Sequence, residues 1–111
     1  MAIRFAAPGE SFPQTSISAL IDTGADATII PRRVLAAQGL QSHRQALLRP
    51  YGGPPRTVEL VLIDLEIAEM RLPSIEVVST EVGDEFILGR NILNKLHMVL
   101  DGPGLQFEVR A

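Results

Sequence analysis

Turn-forming residues cut this chain into short segments, and their spacing limits what it can fold into more than any other feature. Pro8-Gly9, Gly24, Pro31, Gly39, the run RPYGGPPR (49–56), the acidic EVGDE (81–85) and DGPG (101–104) each interrupt an apolar stretch. Proline fixes φ and has no N–H to donate, and glycine readily takes positive φ, so regular elements tend to stop at both. What remains between them is rich in β-branched and apolar residues. AIRFA (2–6), TSISALID (15–22), ATII (27–30), RTVELVLIDLEI (56–67) and RLPSIEVVS (71–79) read as strands.

The longest of these alternates. Val58, Leu60 and Leu62 point one way and Glu59, Val61 and Ile63 the other, so at least one face is buried. A turn near Ala68-Glu69 returns the chain, and RPYGGPPR after the apolar ALL (46–48) reads as the tip of a hairpin. The period changes only twice. PRRVLAAQGL has Val34, Leu35 and Gln38 at helical spacing, Pro31 for the first turn and Gly39 as a stop, predicting a short helix over 31–38. RNILNKL (90–96) predicts a second, with Ile92, Leu93 and Leu96 on one side, and HMVLDGPGLQFEV closes the chain with a hairpin. The expectation is a mainly β, closed barrel-like fold with one or two short helices.

Length and charge narrow the partners. At 111 residues, 46% hydrophobic and 21% charged, the chain suits a single domain spanning 1–111. A net charge of −3 offers no electrostatic reason to bind nucleic acid or an anionic membrane. With no cysteine there is no disulfide, thiolate metal site or cysteine nucleophile. The start, MAIRFAAPGESF, lacks the apolar core of a signal peptide, and Asp64 and Glu66 break the best apolar run well short of a membrane span, so the expectation is a soluble cytoplasmic protein.

One segment resists the strand pattern. In ALIDTGADATIIP (19–31), Asp22, Gly24 and Asp26 stand inside otherwise strand-like sequence, although strand interiors disfavour Asp and Gly. A carboxylate at the end of an apolar strand, on a tight turn, is held rigidly against low-dielectric walls where its protonation can be tuned. Alone it is a poor hydrolytic catalyst, because one group must take a proton from water while another supplies one. The chain has no recognisable Ser/His/Asp set, no metal-ligand spacing and no phosphate-binding loop, so either Asp22 and Gly24 simply turn the chain or, if Asp22 is catalytic, it needs a second acid close by.

Here LIDTGADATII (20–30), followed by ILGRNIL (87–93), resembles the retropepsin-type aspartic peptidases over most of residues 15–97. The resemblance implies the acid-protease fold, with a flap hairpin, and an endopeptidase needing no metal or cofactor. It also supplies the second acid: such chains carry one D-T-G each and work as homodimers, bringing two Asp22 carboxylates together across a two-fold axis. By position, it implies that Asp22, Thr23 and Gly24 form the catalytic turn, with Thr23 hydrogen-bonding the partner's loop. Ala25 and Asp26 would bind the main chain of a peptide or protein substrate. Tyr51, Gly52 and Gly53 would form the flap tip, and Leu20 and Ile87 an apolar pocket floor. Arg90 would pair with Asp26 and, with Asn91, support the loop.

Three features depart from the retroviral pattern. Pro54 and Pro55 remove two N–H donors from the flap, the first helix is longer, and the C-terminal hairpin is additional. Together with the initiating Met, that hairpin favours a standalone protein over one excised from a retroelement polyprotein. The alternative reading is a catalytically idle module that uses the same fold to bind peptides or to dimerise. Glu81, Asp84 and Glu85 immediately precede the second motif, where they either face solvent or set the charge of the cleft rim.

Overall fold

The structure, a computed structural model, describes residues 1–49, 52–81, 83–101 and 106–110. The strands are β1 (Ala2–Ala6), β2 (Ile17–Ser18), β3 (Leu20–Ile21), β4 (Ile29–Pro31), β5 (Arg44–Leu48), β6 (Arg56–Ile67), β7 (Met70–Thr80), β8 (Ile87–Leu88), β9 (His97–Asp101) and β10 (Gln106–Arg110). Two helices interrupt them, α1 (Arg32–Ala37) after β4 and α2 (Arg90–Leu93) after β8.

The main sheet runs β2-β1-β6-β7-β4-β8-β3, with β5 paired to β6. Its two ends, β2 and β3, are neighbours in the chain, separated only by Ala19. The sheet therefore returns almost to its starting point, giving a nearly closed, barrel-like fold that leaves few open edges. This is why TSISALID, which reads as one strand, is two: β2 pairs with β1 and β3 with β8. Ala19 makes the transfer, buried, with its N–H on the Met1 carbonyl at 2.7 Å and its carbonyl on the Met1 ammonium at 2.8 Å.

The core fills the inside. Val61, Ile63, Leu65 and Ile67, alternate residues of β6, meet Ile3 and Phe5 from β1, Ile75 and Val77 from β7, and Leu35 and Ile92 from the two helices. Phe5 and Phe86 pack with ring centroids 5.5 Å apart. Burying side chains of this size contributes roughly 1.5–3 kcal/mol each.

The β6–β7 hairpin carries the irregularities. Ile67 pairs with Met70, so the connection is the two-residue Ala68-Glu69 turn, both at positive φ (49° and 66°), as a type I′ turn requires. Further along, the register shifts between Ile63 and Leu65. There Asp64 is buried, although in sequence it is merely a break in an apolar run. Its carboxylate accepts from the N–H groups of Gly9 (2.9 Å) and Ser74 (2.8 Å) and from Arg71 Nη2 (2.7 Å). Those donors, the two backbone groups foremost, hold its carboxyl below the usual carboxylate range. Arg71 also donates to the Glu10 carbonyl (2.7 Å) and lies over the Phe12 ring, 4.4 Å from its centroid, which fastens the 9–12 segment to the barrel.

The helices are shorter than their sequence patterns. Pro31 ends β4 and caps α1 instead of entering it, and α2 gives way to looser turns after Leu93. β5 and β6 form the expected hairpin, but Pro50 and Tyr51 at its tip lie outside the described residues. So do residues 102–105, between the paired β9 and β10. Among the described residues, no helix is long and apolar enough to cross a membrane.

Candidate active site

The D-T-G turn is built on β8. β3 runs parallel to β8, Leu20 opposite Ile87 and Ile21 opposite Leu88, so both strands deliver their next residues at the same end. Leu20 N–H donates to the Phe86 carbonyl (2.8 Å) and Asp22 N–H to the Leu88 carbonyl (3.1 Å). There the chain turns. Ala25 N–H reaches back to the Asp22 carbonyl (3.2 Å) and Gly24 N–H to Asp22 Oδ1 (2.9 Å). An Asx-type bond of this kind is what an aspartate followed by glycine can make at little steric cost. A Cβ on Gly24 would stand 3.2 Å from Asp22 Oδ1.

Asp22 and Thr23 are exposed. Among the described residues, the Asp22 carboxylate accepts only from Gly24, and the Thr23 hydroxyl has no partner. The turn thus presents a carboxylate and a hydroxyl outward.

The segment after the turn is locked to the second motif. Gly89 lies against it so closely that a Cβ there would meet the Ala27 carbonyl oxygen at 2.3 Å and the Ala25 carbonyl oxygen at 3.0 Å. Arg90 N–H donates to the Ala25 carbonyl at 2.8 Å, and the Arg90 guanidinium pairs with the exposed Asp26 carboxylate. Thr28, which neither motif singles out, is fully buried at the centre of the web. Its hydroxyl accepts from Gly89 N–H (3.1 Å) and donates to Asn91 Oδ1 (2.8 Å), while Asn91 Nδ2 donates to the Glu76 carbonyl (3.1 Å). A polar residue in the middle of the apolar ATII is the signal that could have marked it. The Glu76 side chain points elsewhere: bidentate hydrogen bonding from Arg44, then His43, lowers its pKa to about 2.

An apolar row lies beside the turn. Ile87 is paired with Leu20 on one side and with Ile29 of β4 on the other, and residues in register share a face of the sheet. Ile29 and Ile87 line a cleft of about 510 Å³ together with Thr80, Gly83, Asp84 and Glu85. Leu20, 54% exposed, stands at the near end of the row but outside this cleft, whose floor beside Ile87 is Ile29. The hairpin tip adds Gly52 and Gly53, both exposed, with Gly52 at φ 75°. Among the described residues, no three His, Asp or Glu side chains converge as a metal site would need.

Residues 11–95 match the sequence family described as "gag-polyprotein putative aspartyl protease". The chain belongs to this gag-polyprotein aspartyl protease family. Solved structures agree with the family in fold. The EIAV protease, in complex with the inhibitor HBY-793, superposes with a TM-score of 0.58 at 18% identity, over 86% of this chain and 84% of its own. The retroviral protease-like domain of Ddi1 from Leishmania major gives 0.59 at 16%, over 97% and 86%. The simian foamy virus protease gives 0.56 at 16%, over 85% and 92%. No curated protein matches by sequence. Family and fold are therefore those of retropepsin-like aspartic proteases, and at such identities the structural likeness speaks for the fold alone.

Proposed function

We propose that the protein is an aspartic endopeptidase that works as a homodimer, with one Asp22 from each chain in a shared site and no metal or cofactor. The observation that carries this reading is the outward-facing Asp22 on a turn anchored to β8, in a chain of an aspartyl protease family with one D-T-G. A two-fold contact through that surface sets the two carboxylates side by side. Two such groups cannot both ionise easily, so they share one proton. The ionised member takes a proton from a water as it attacks the peptide carbonyl, and the protonated member donates to the carbonyl oxygen.

The neighbouring residues then have roles. Thr23, its hydroxyl otherwise unpartnered among the described residues, hydrogen-bonds the partner's turn across the axis. Asp26, braced by Arg90, receives substrate main-chain N–H groups. The row Leu20, Ile87 and Ile29 favours large hydrophobic side chains beside the scissile bond. The β5–β6 hairpin closes over the peptide and excludes water, with Pro54 and Pro55 stiffening its return arm.

The test is a digest of a peptide library by the wild-type protein and by Asp22→Asn, with circular dichroism on both. Cleavage flanked by hydrophobic residues in wild type, and none in a folded Asp22→Asn, is the expected result. Equal cleavage by the two proteins removes Asp22 from the mechanism.

A further inference from the structure

The acidic loop between β7 and β8 does not present three equivalent charges. Arg32 Nη1 lies 2.5 Å from Glu81 Oε1, and Arg33 Nη1 lies 2.7 Å from Asp84 Oδ1. Both arginines open α1, which follows β4 directly, so the strand that supplies Ile29 to the cleft leads straight into the cations that cover the loop. Glu85 makes no ion pair among the described residues. Asp84 and Glu85 both line the cleft over its Ile29–Ile87 floor.

A carboxylate held against a guanidinium presents a dipole, whose field falls off faster with distance than that of a bare charge. We propose that Arg33 is a specificity-determining residue: it masks Asp84, so that Glu85 is the carboxylate through which the cleft reads a cationic residue next to a hydrophobic one. Arg32 does the same for Glu81, further from the floor. The nature of the ligand, an extended peptide, rests on the peptidase reading; the masking rests on the two ion pairs and the cleft. Neighbouring carboxylates thus differ in function, although nothing in EVGDE itself distinguishes them.

Arg33→Gln and Asp84→Asn break the same ion pair but leave opposite charges behind, which separates masking from simple bracing of the loop. The measurement is affinity on the Asp22→Asn background, where peptides are bound without being consumed. Two peptide libraries are compared, hydrophobic at the central positions, one with Lys and one with Gln at the flanking positions. Arg33→Gln, which bares Asp84, is expected to raise the Lys-to-Gln affinity ratio about two- to five-fold at low salt, the range for an exposed charge pair. Asp84→Asn, which leaves the Arg33 cation unpaired, and Glu85→Gln, which removes the unmasked carboxylate, are both expected to lower it. All differences should shrink at about 0.5 M salt, where screening is short-ranged. Equal shifts in Arg33→Gln and Asp84→Asn, no shift in either, or no binding of either library would overturn the proposal. Cleavage by the protein with Asp22 intact is scored separately. Peptides bound with the expected ratios but never cut would remove the peptidase reading and leave the charge mask standing.

Discussion

Gly89 approaches the Ala27 carbonyl so closely that a Cβ on it would lie 2.3 Å from the oxygen and 2.5 Å from the carbon. The opposing atoms are backbone, so no rotamer change relieves the clash. Gly89→Ala must push the 25–27 segment away from β8, and the turn carrying Asp22 moves with it. Overpacking of this kind costs roughly 1–3 kcal/mol or more, which in a small domain lowers Tm by about 10 °C. Calorimetry on the variant checks this, and a Tm equal to that of wild type would mean that the two segments have room to spare.

Thr28 should be sensitive to the hydroxyl rather than to size. Thr28→Val keeps the volume but leaves the Gly89 N–H and Asn91 Oδ1 without their shared partner in a buried site. Unmet buried groups cost about 1–3 kcal/mol. Thr28→Ser keeps the hydroxyl and loses one methyl, about 1 kcal/mol. Urea titration should therefore rank Val below Ser; the reverse order would mean that packing matters more at this position than hydrogen bonding.

A site shared between two chains predicts that dilution abolishes cleavage. With one D-T-G per chain, specific activity is expected to fall as protein concentration drops below the dimer dissociation constant. Thr23→Ala should move that fall to higher concentration by removing the hydrogen bond proposed to cross the axis. Sedimentation and activity measured over the same dilution series decide it: constant activity from a monomer would rule out the shared site.

Asp64 predicts a specific loss of stability in acid. Its carboxyl is held below the usual range by the Gly9 and Ser74 N–H groups and then by Arg71. A depressed folded-state pKa gives stabilisation that is fully present above the unfolded value, about 3.9, and is lost as pH falls through the folded value. Asp64→Asn should therefore be destabilised at pH 7 by roughly 1–3 kcal/mol, the cost of weakened hydrogen bonds to a charged acceptor. That deficit should narrow below about pH 4, as wild type loses its advantage. Denaturant midpoints at both pH values measure it, and a deficit that stays constant would place the effect in packing instead.

The parts of this protein that sequence alone determined are those governed by neighbours in the chain. Pro8-Gly9 follows the first strand, Ala68-Glu69 makes the tight hairpin turn and Gly39 N–H closes the last turn after α1, because backbone dihedral preferences act over a few residues. The alternation in RTVELVLIDLEI identified Val61 and Ile63 as one face because a strand's period is local as well. The two motifs were legible for the same reason, down to the residues that flank the D-T-G turn.

What tertiary structure decided depends on residues far apart in the chain meeting in space. Asp64 looked like an interruption of an apolar run until the bulge beside it brought Gly9, Arg71 and Ser74 to its carboxylate. Ala19 splits a continuous strand pattern because β1 and β8, far apart in sequence, each claim one half of it. Ile29 joins Ile87 in the cleft only through the β4–β8 register. Arg32 and Arg33, two side chains on a short helix, became the cover of Glu81 and Asp84 only when α1 folded against that loop. Most of these contacts close a long loop of chain, so the whole barrel fixes their register and geometry. Arg71 and Ser74, only seven and ten residues beyond Asp64, reach it through the register shift in the β6–β7 hairpin, which the segment's pattern does not show.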